Sequence, residues 1–123
     1  MSGPIHASLA ATNGALAEKY AAFVAASEGA LSPELVALVR QAVAAVHGMG
    51  EGPDESALDE ATRTALAYAR RMPFEHTAIS DDEAAAVTHH LGEPGFVAFS
   101  VVTALADAEC RAAQVDLPEL SGV

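Results

Sequence analysis

Asp107 and Arg111 stand four residues apart at the end of an otherwise apolar stretch, and a helix brings that spacing onto one face. Charges in such a place must pair, face solvent or line a cavity. Lining a cavity, Arg111 would clamp a substrate carboxylate with Asp107 beside it. The bland version is an intrahelical ion pair at an exposed end.

Four histidines bear on the same chemistry. His47 closes an apolar-striped helix beside a glycine-rich loop. It is a candidate general acid or base facing a pocket, or an exposed histidine favoured at a helix C-terminus by the dipole. His89 and His90 are adjacent, so a helix turns them about 100° apart and only one can approach the interior. Ala84, Val87, Thr88 and Leu91 set the inward face, which leaves His90 on its flank as the second acid–base candidate and His89 further out. Both also read as solvated or interface histidines. His76 follows Glu75 in what reads as a surface loop. No second histidine stands at i+4 from His89 or His90 and there is no cysteine cluster, so no metal is expected. Cys110 is the one cysteine, which excludes an intramolecular disulfide.

The elements that must position these residues are helical. Leu16, Tyr20, Phe23 and Val24 recur at helical spacing over 12–27, with Gly29 just beyond. Ser32-Pro33-Glu34 is a helix start, with Ser as N-cap, Pro at N1 and an acid in the first turn. Leu35, Leu38, Val39, Ala42, Val43 and Val46 then form an apolar stripe that ends near His47-Gly48. The segment GMGEGPDES breaks regular structure. A third helix begins after Ser56, runs to Pro73 and carries Arg63, Arg70 and Arg71, a solvated face balancing nearby acids. Ser80 and Glu83 make a capping box for a fourth helix that closes at Gly92. GFVAFSVVTALA, 95–106, is apolar on every side except Ser100 and Thr103, which predicts a buried fifth helix. At twelve residues it falls short of the ~20 that span a bilayer. There is no period-two strand pattern and no solenoid repeat, so the expected architecture is all-α, a five-helix bundle in one domain over 1–123. Loose ends are expected at about 1–10 and 117–123.

Composition narrows the function classes. The chain is 51% hydrophobic, enough for a globular core. Much of that is alanine, and with four Phe, two Tyr and no Trp a monomeric core would be thin, so self-association is expected. A net charge of -11 argues against nucleic acid and against anionic membrane surfaces. No signal-peptide pattern opens the chain, and the expected location is cytoplasmic.

The succession LSPELVALVRQAVAAVHG at 31–48, EATRTALAYARRM at 60–72 and AISDDE at 78–83, leading to HHLGEPGFVAFSVVTALADAECRA, resembles the alkylhydroperoxidase D-like, or carboxymuconolactone decarboxylase, superfamily over roughly the last three quarters of the chain. The resemblance implies an all-α subunit of the alkylhydroperoxidase D-like type that assembles as a homotrimer or homohexamer. In the peroxidase branch it further implies a Glu, a C-x-x-C pair and a His for disulfide chemistry. Here those positions hold Ala37, Met49, Gly52 and Ser56, so thiol peroxidase activity is not expected. The decarboxylase branch works without a cofactor, by acid–base chemistry on small carboxylated lactones. Carried onto this chain, that gives His47 or His90 as general acid/base and Arg111 with Asp107 as the substrate clamp, with no cofactor and a small acidic molecule as partner. The alternative is a non-catalytic homo-oligomeric or small-molecule-binding module that keeps the fold.

Overall fold

The computed structural model describes residues 3–115, all in helices and the turns between them. Five helices run in order: α1 (Pro4–Thr12), α2 (Gly14–Gly29), α3 (Pro33–Val46), α4 (Glu60–Glu75) and α5 (Asp81–Ala113), with a single 3-10 turn, His76–Ala78, before α5. Among the described residues no single helix is long and apolar enough to cross a membrane.

Local chemistry explains most boundaries. Ser32 accepts from the Leu35 amide and Pro33 opens α3 as expected. The capping box of Ser80 and Glu83 is formed in both directions at α5. The Ser80 amide, and after it Arg71, hold the Glu83 carboxyl below its usual range. Asp59 rather than Ser56 caps α4, accepting from the Thr62 amide at 2.8 Å, so that helix starts later than its sequence suggests.

Three expectations change. The N-terminal segment, expected to be loose, is helix α1 from Pro4, because Pro at N1 and a run of Ala and Leu favour it and α5 gives it a surface to lie on. The fourth and fifth expected helices are two halves of α5. Gly92 breaks them at φ 77° and ψ 167°, a conformation only glycine adopts without strain, and the chain re-enters helix through Glu93-Pro94. The stretch 95–106 is not buried all round: Phe99, Val102, Thr103 and Ala106 are covered, whereas Val97 is 62% exposed. The residues expected to be loose from 117 onward lie outside the described range.

Helix α5 is the axis of the bundle. Helices α3 and α4 lie along one side of it and along each other, and α1 and α2 pair with each other and lean on its second half. Leu35, Val36, Val39, Ala42 and Val43 of α3 meet Ala65, Leu66 and Ala69 of α4 and Val87, Phe99, Val102, Ala106 and Cys110 of α5 in one core. Helix α2 buries only Ala17 and Val24. The bundle is thus tight between α3, α4 and α5 and loose where α1 and α2 close it.

Candidate functional site

Two groups of polar side chains gather on the last turns of α5, on different sides of it. Asp107 and Glu109 are two residues apart, which places them about 200° apart around the helix.

The first group is built where three helix ends meet. Helix α3 ends in a Schellman motif: Met49 N–H donates to Ala44 O at 2.8 Å and Gly48 N–H to Ala45 O at 3.0 Å, with Gly48 at φ 73°. That turn leaves His47 as the C-cap, its side chain folded inward and only 2% exposed. Its Nε2 lies 2.7 Å from Asp107 Oδ1. A carboxylate accepts only, so Nε2 carries the proton of this contact. Arg111 Nε donates to the same Asp107 oxygen at 3.0 Å, and the other arm of its guanidinium donates to Pro73 O at 2.6 Å, at the end of α4. Phe74 fills the angle between them, its ring 5.0 Å from the His47 ring and 5.0 Å from the Arg111 guanidinium carbon. Gln114 Nε2 closes the group on His47 O at 3.0 Å. Three of the four residues singled out from sequence, His47, Asp107 and Arg111, are therefore in direct contact.

The fourth is elsewhere. His90 lies before the break at Gly92, exposed, its ring 5.4 Å from that of His89. It faces the start of α4, where Asp59 is held low first by its hydrogen bonds to Thr62 and then by His90. His76 is exposed on the 3-10 turn. Arg70 and Arg71 pair with Glu55 and Glu83, as a charged face would. Among the described residues no cluster of three His, Cys, Asp or Glu side chains could hold a metal ion.

The second group was not foreseen. Where α1 and α2 close loosely on α5 there is a cavity of about 360 Å³, walled by Val24, Val102, Leu105 and Ala106, with Arg40, Met49 and Ala113 also lining it. Its polar end is Tyr20 and Glu109: the Tyr20 hydroxyl donates to Glu109 Oε1 at 2.5 Å. Burial first, then the hydrogen bond and charge of Glu109, push the Tyr20 phenol well above its ordinary value, so it stays a donor. Glu109 Oε2 is buried and has no hydrogen-bond partner among the described residues. Arg40, on the same wall, is paired with Glu28. Cys110 also borders the cavity, and burial, then Asp107 and Glu109, raise its thiol, the opposite of what a reactive thiolate needs.

The sequence carried half of the signal for this cavity. Tyr20 lay on the apolar stripe of its helix and Glu109 among the charges ending another, and nothing local joins residues 89 apart. Comparison with protein families, curated proteins and solved structures finds no match to this chain.

Proposed function

We propose that the chain is a small-molecule-binding helical module whose ligand occupies the cavity between α1, α2 and α5. The observation that supports this reading is the cavity itself: about 360 Å³, mostly apolar walls, and two polar pairs in its lining, Tyr20 with Glu109 and Arg40 with Glu28. Ligand sites have this composition, an apolar surround that supplies affinity and a few polar groups that fix orientation.

The test uses benzyl alcohol as a neutral probe, followed by amide chemical shifts. Shifts confined to Val24, Val102, Ala106 and their neighbours are expected, and Ala113→Phe, which puts a ring at the mouth of the cavity, should weaken them by at least about tenfold. Uniform small shifts, unchanged in Ala113→Phe, would remove the reading.

A second reading, cofactor-free acid–base chemistry of the decarboxylase-like kind, is favoured by one observation, the 2.7 Å His47–Asp107 contact. It orients the imidazole and leaves Nδ1 as the base, with Arg111 as the carboxylate clamp. Because the His47 side chain is 2% exposed, this chemistry requires Phe74 to swing aside before a substrate reaches it. Substitution at Asp107 separates this role from a structural one.

Self-association belongs to either reading. Val97 on α5 and Leu16 and Phe23 on α2 are 62%, 48% and 52% exposed, and a second copy is the partner a thin alanine-rich core would use to cover them. Native mass spectrometry should show a multimer that Val97→Glu reduces to a monomer; a wild-type monomer would end the proposal.

A further inference from the structure

The buried core cluster is drawn entirely from α3, α4 and α5, and neither α1 nor α2 contributes a residue to it. Helix α1 buries nothing and α2 buries only Ala17 and Val24. The two helices meet each other more than either meets α5. Asn13 ties them into one unit: its N–H donates to Leu9 O at 2.6 Å, and its side chain accepts from the Leu16 N–H at 3.1 Å. A separately knit hairpin thus lies on a core that is complete without it. Few buried apolar contacts mark a part that opens while the rest stays folded.

Its attachments to that core are few. Residues 30–32 join α2 to α3, and Leu31 packs against the core, which places the pivot at the end of α2. Beside the pivot Glu28 pairs with Arg40, which is half exposed, so the pair holds weakly. About 12 Å further along α2, the Tyr20 hydroxyl donates to the Glu109 carboxylate. Among the described residues it is the one side-chain hydrogen bond from the hairpin to α5. Gly3, the N-cap of α1, lies over the same carboxylate, so closely that a Cβ there would collide with it. Both helices of the hairpin therefore close on Glu109.

What the hairpin covers is the cavity. Val24 of α2 lines it together with Val102, Leu105 and Ala106 of α5, and the buried Cys110 borders it. Lifting α2 uncovers all four residues of α5.

We propose that the α1–α2 hairpin is the lid of this cavity, swinging from α5 as a unit about residues 30–32 to admit the ligand, with Tyr20–Glu109 as its latch. The inference rests on the ligand-binding reading of the cavity.

Native-state hydrogen exchange in rising urea reads the opening of each helix, and labelling of Cys110 by N-ethylmaleimide reads the uncovering of the cavity. Exchange of α2 amides and labelling of Cys110 are expected to depend on urea less steeply than exchange of the Val39, Val43 and Leu66 amides, because a hairpin exposes only part of the surface that unfolding does. Tyr20→Phe keeps the ring, removes the donor and should speed α2 exchange and Cys110 labelling at least about tenfold. Val39→Ala weakens a core that stays folded when the lid is open, so it should speed core exchange at least about tenfold and leave α2 exchange unchanged. Benzyl alcohol at about ten times its Kd should slow Cys110 labelling about tenfold.

Equal urea slopes for α2 and the core, or Val39→Ala speeding both alike, overturn the lid, while shifts of the cavity amides by benzyl alcohol would still stand for the ligand site. Unchanged α2 exchange in Tyr20→Phe overturns the latch. If that variant does not fold, the wild-type slopes and Val39→Ala decide. A hairpin that opens alone, with Cys110 labelling indifferent to benzyl alcohol and no shift of the cavity amides, rejects the ligand reading and with it the lid's role.

Discussion

Phe99→Ala is expected to lower the unfolding free energy by about 3–5 kcal/mol. Phe99 is fully buried and is the largest side chain so enclosed; Leu66, Val39, Val43, Val87 and Thr103 are the others of that rank. Its ring lies 5.8 Å from that of Tyr68 and 6.5 Å from that of Phe96, an aromatic cluster that joins α5 to α4. Packed helices relax only partly around a deleted ring, so a cavity term adds to the lost transfer energy. Val97→Ala, two positions away on the same helix and 62% exposed, is the control and should change stability by no more than about 0.5 kcal/mol in the monomer. Urea denaturation of the three proteins reads both numbers. A Phe99→Ala loss within about 1 kcal/mol of the control would mean that α5 is not the axis of the core.

That pair of residues also shows how far the sequence was readable. Both sit in a stretch whose composition says only that it is apolar, and composition cannot say which side of it other helices cover. The capping signals were readable because they are local: Ser32 meets Leu35 and Ser80 meets Glu83 within one turn, whatever the rest of the fold does. The stripe on α3 was readable because its apolar residues recur with the period of the helix. Helix α1 was not, since its residues carry almost no apolar asymmetry and its partners lie on α2 and α5. Gly92 was legible as a stop, and the structure adds that the chain re-enters helix immediately after it, across a kink.

The site divides along the same line. Residue type and helix position marked out His47, Asp107 and Arg111, but the contact between residues 47 and 107 is made by α3 and α5 running side by side with their ends aligned, which is a tertiary fact. His90 had the same type and a similar helical position as His47, and only the break at Gly92 and the direction of α5 separate them. Tyr20 and Glu109 were of ordinary types in ordinary positions. What makes them a site is the gap left by two helices that bury little, and no pattern along the chain encodes a gap.

Asp107→Ala is expected to cost about 2–3 kcal/mol, more than either of its ion pairs would contribute at the surface. The carboxylate accepts from His47 and Arg111 on one oxygen. Arg111 is half exposed and keeps Pro73 O and the Phe74 face, so it loses little. His47 is the costly loss, because its side chain is 2% exposed and its Nε2–H has no other acceptor shown nearby. Asp107→Asn retains an acceptor oxygen in the same place and should recover most of the stability, to within about 1 kcal/mol of wild type. The two variants thereby separate structure from chemistry. If His47, Asp107 and Arg111 only clamp the ends of α3, α4 and α5, then Asp107→Asn behaves as wild type in every assay once folded. If His47 is a base whose tautomer Asp107 enforces, then Asp107→Asn is stable yet turns over a small carboxylated substrate orders of magnitude more slowly, because the amide can hold the imidazole in either tautomer. A stable Asp107→Ala, lost stability below about 0.5 kcal/mol, would contradict both, since each depends on a buried imidazole that needs this carboxylate.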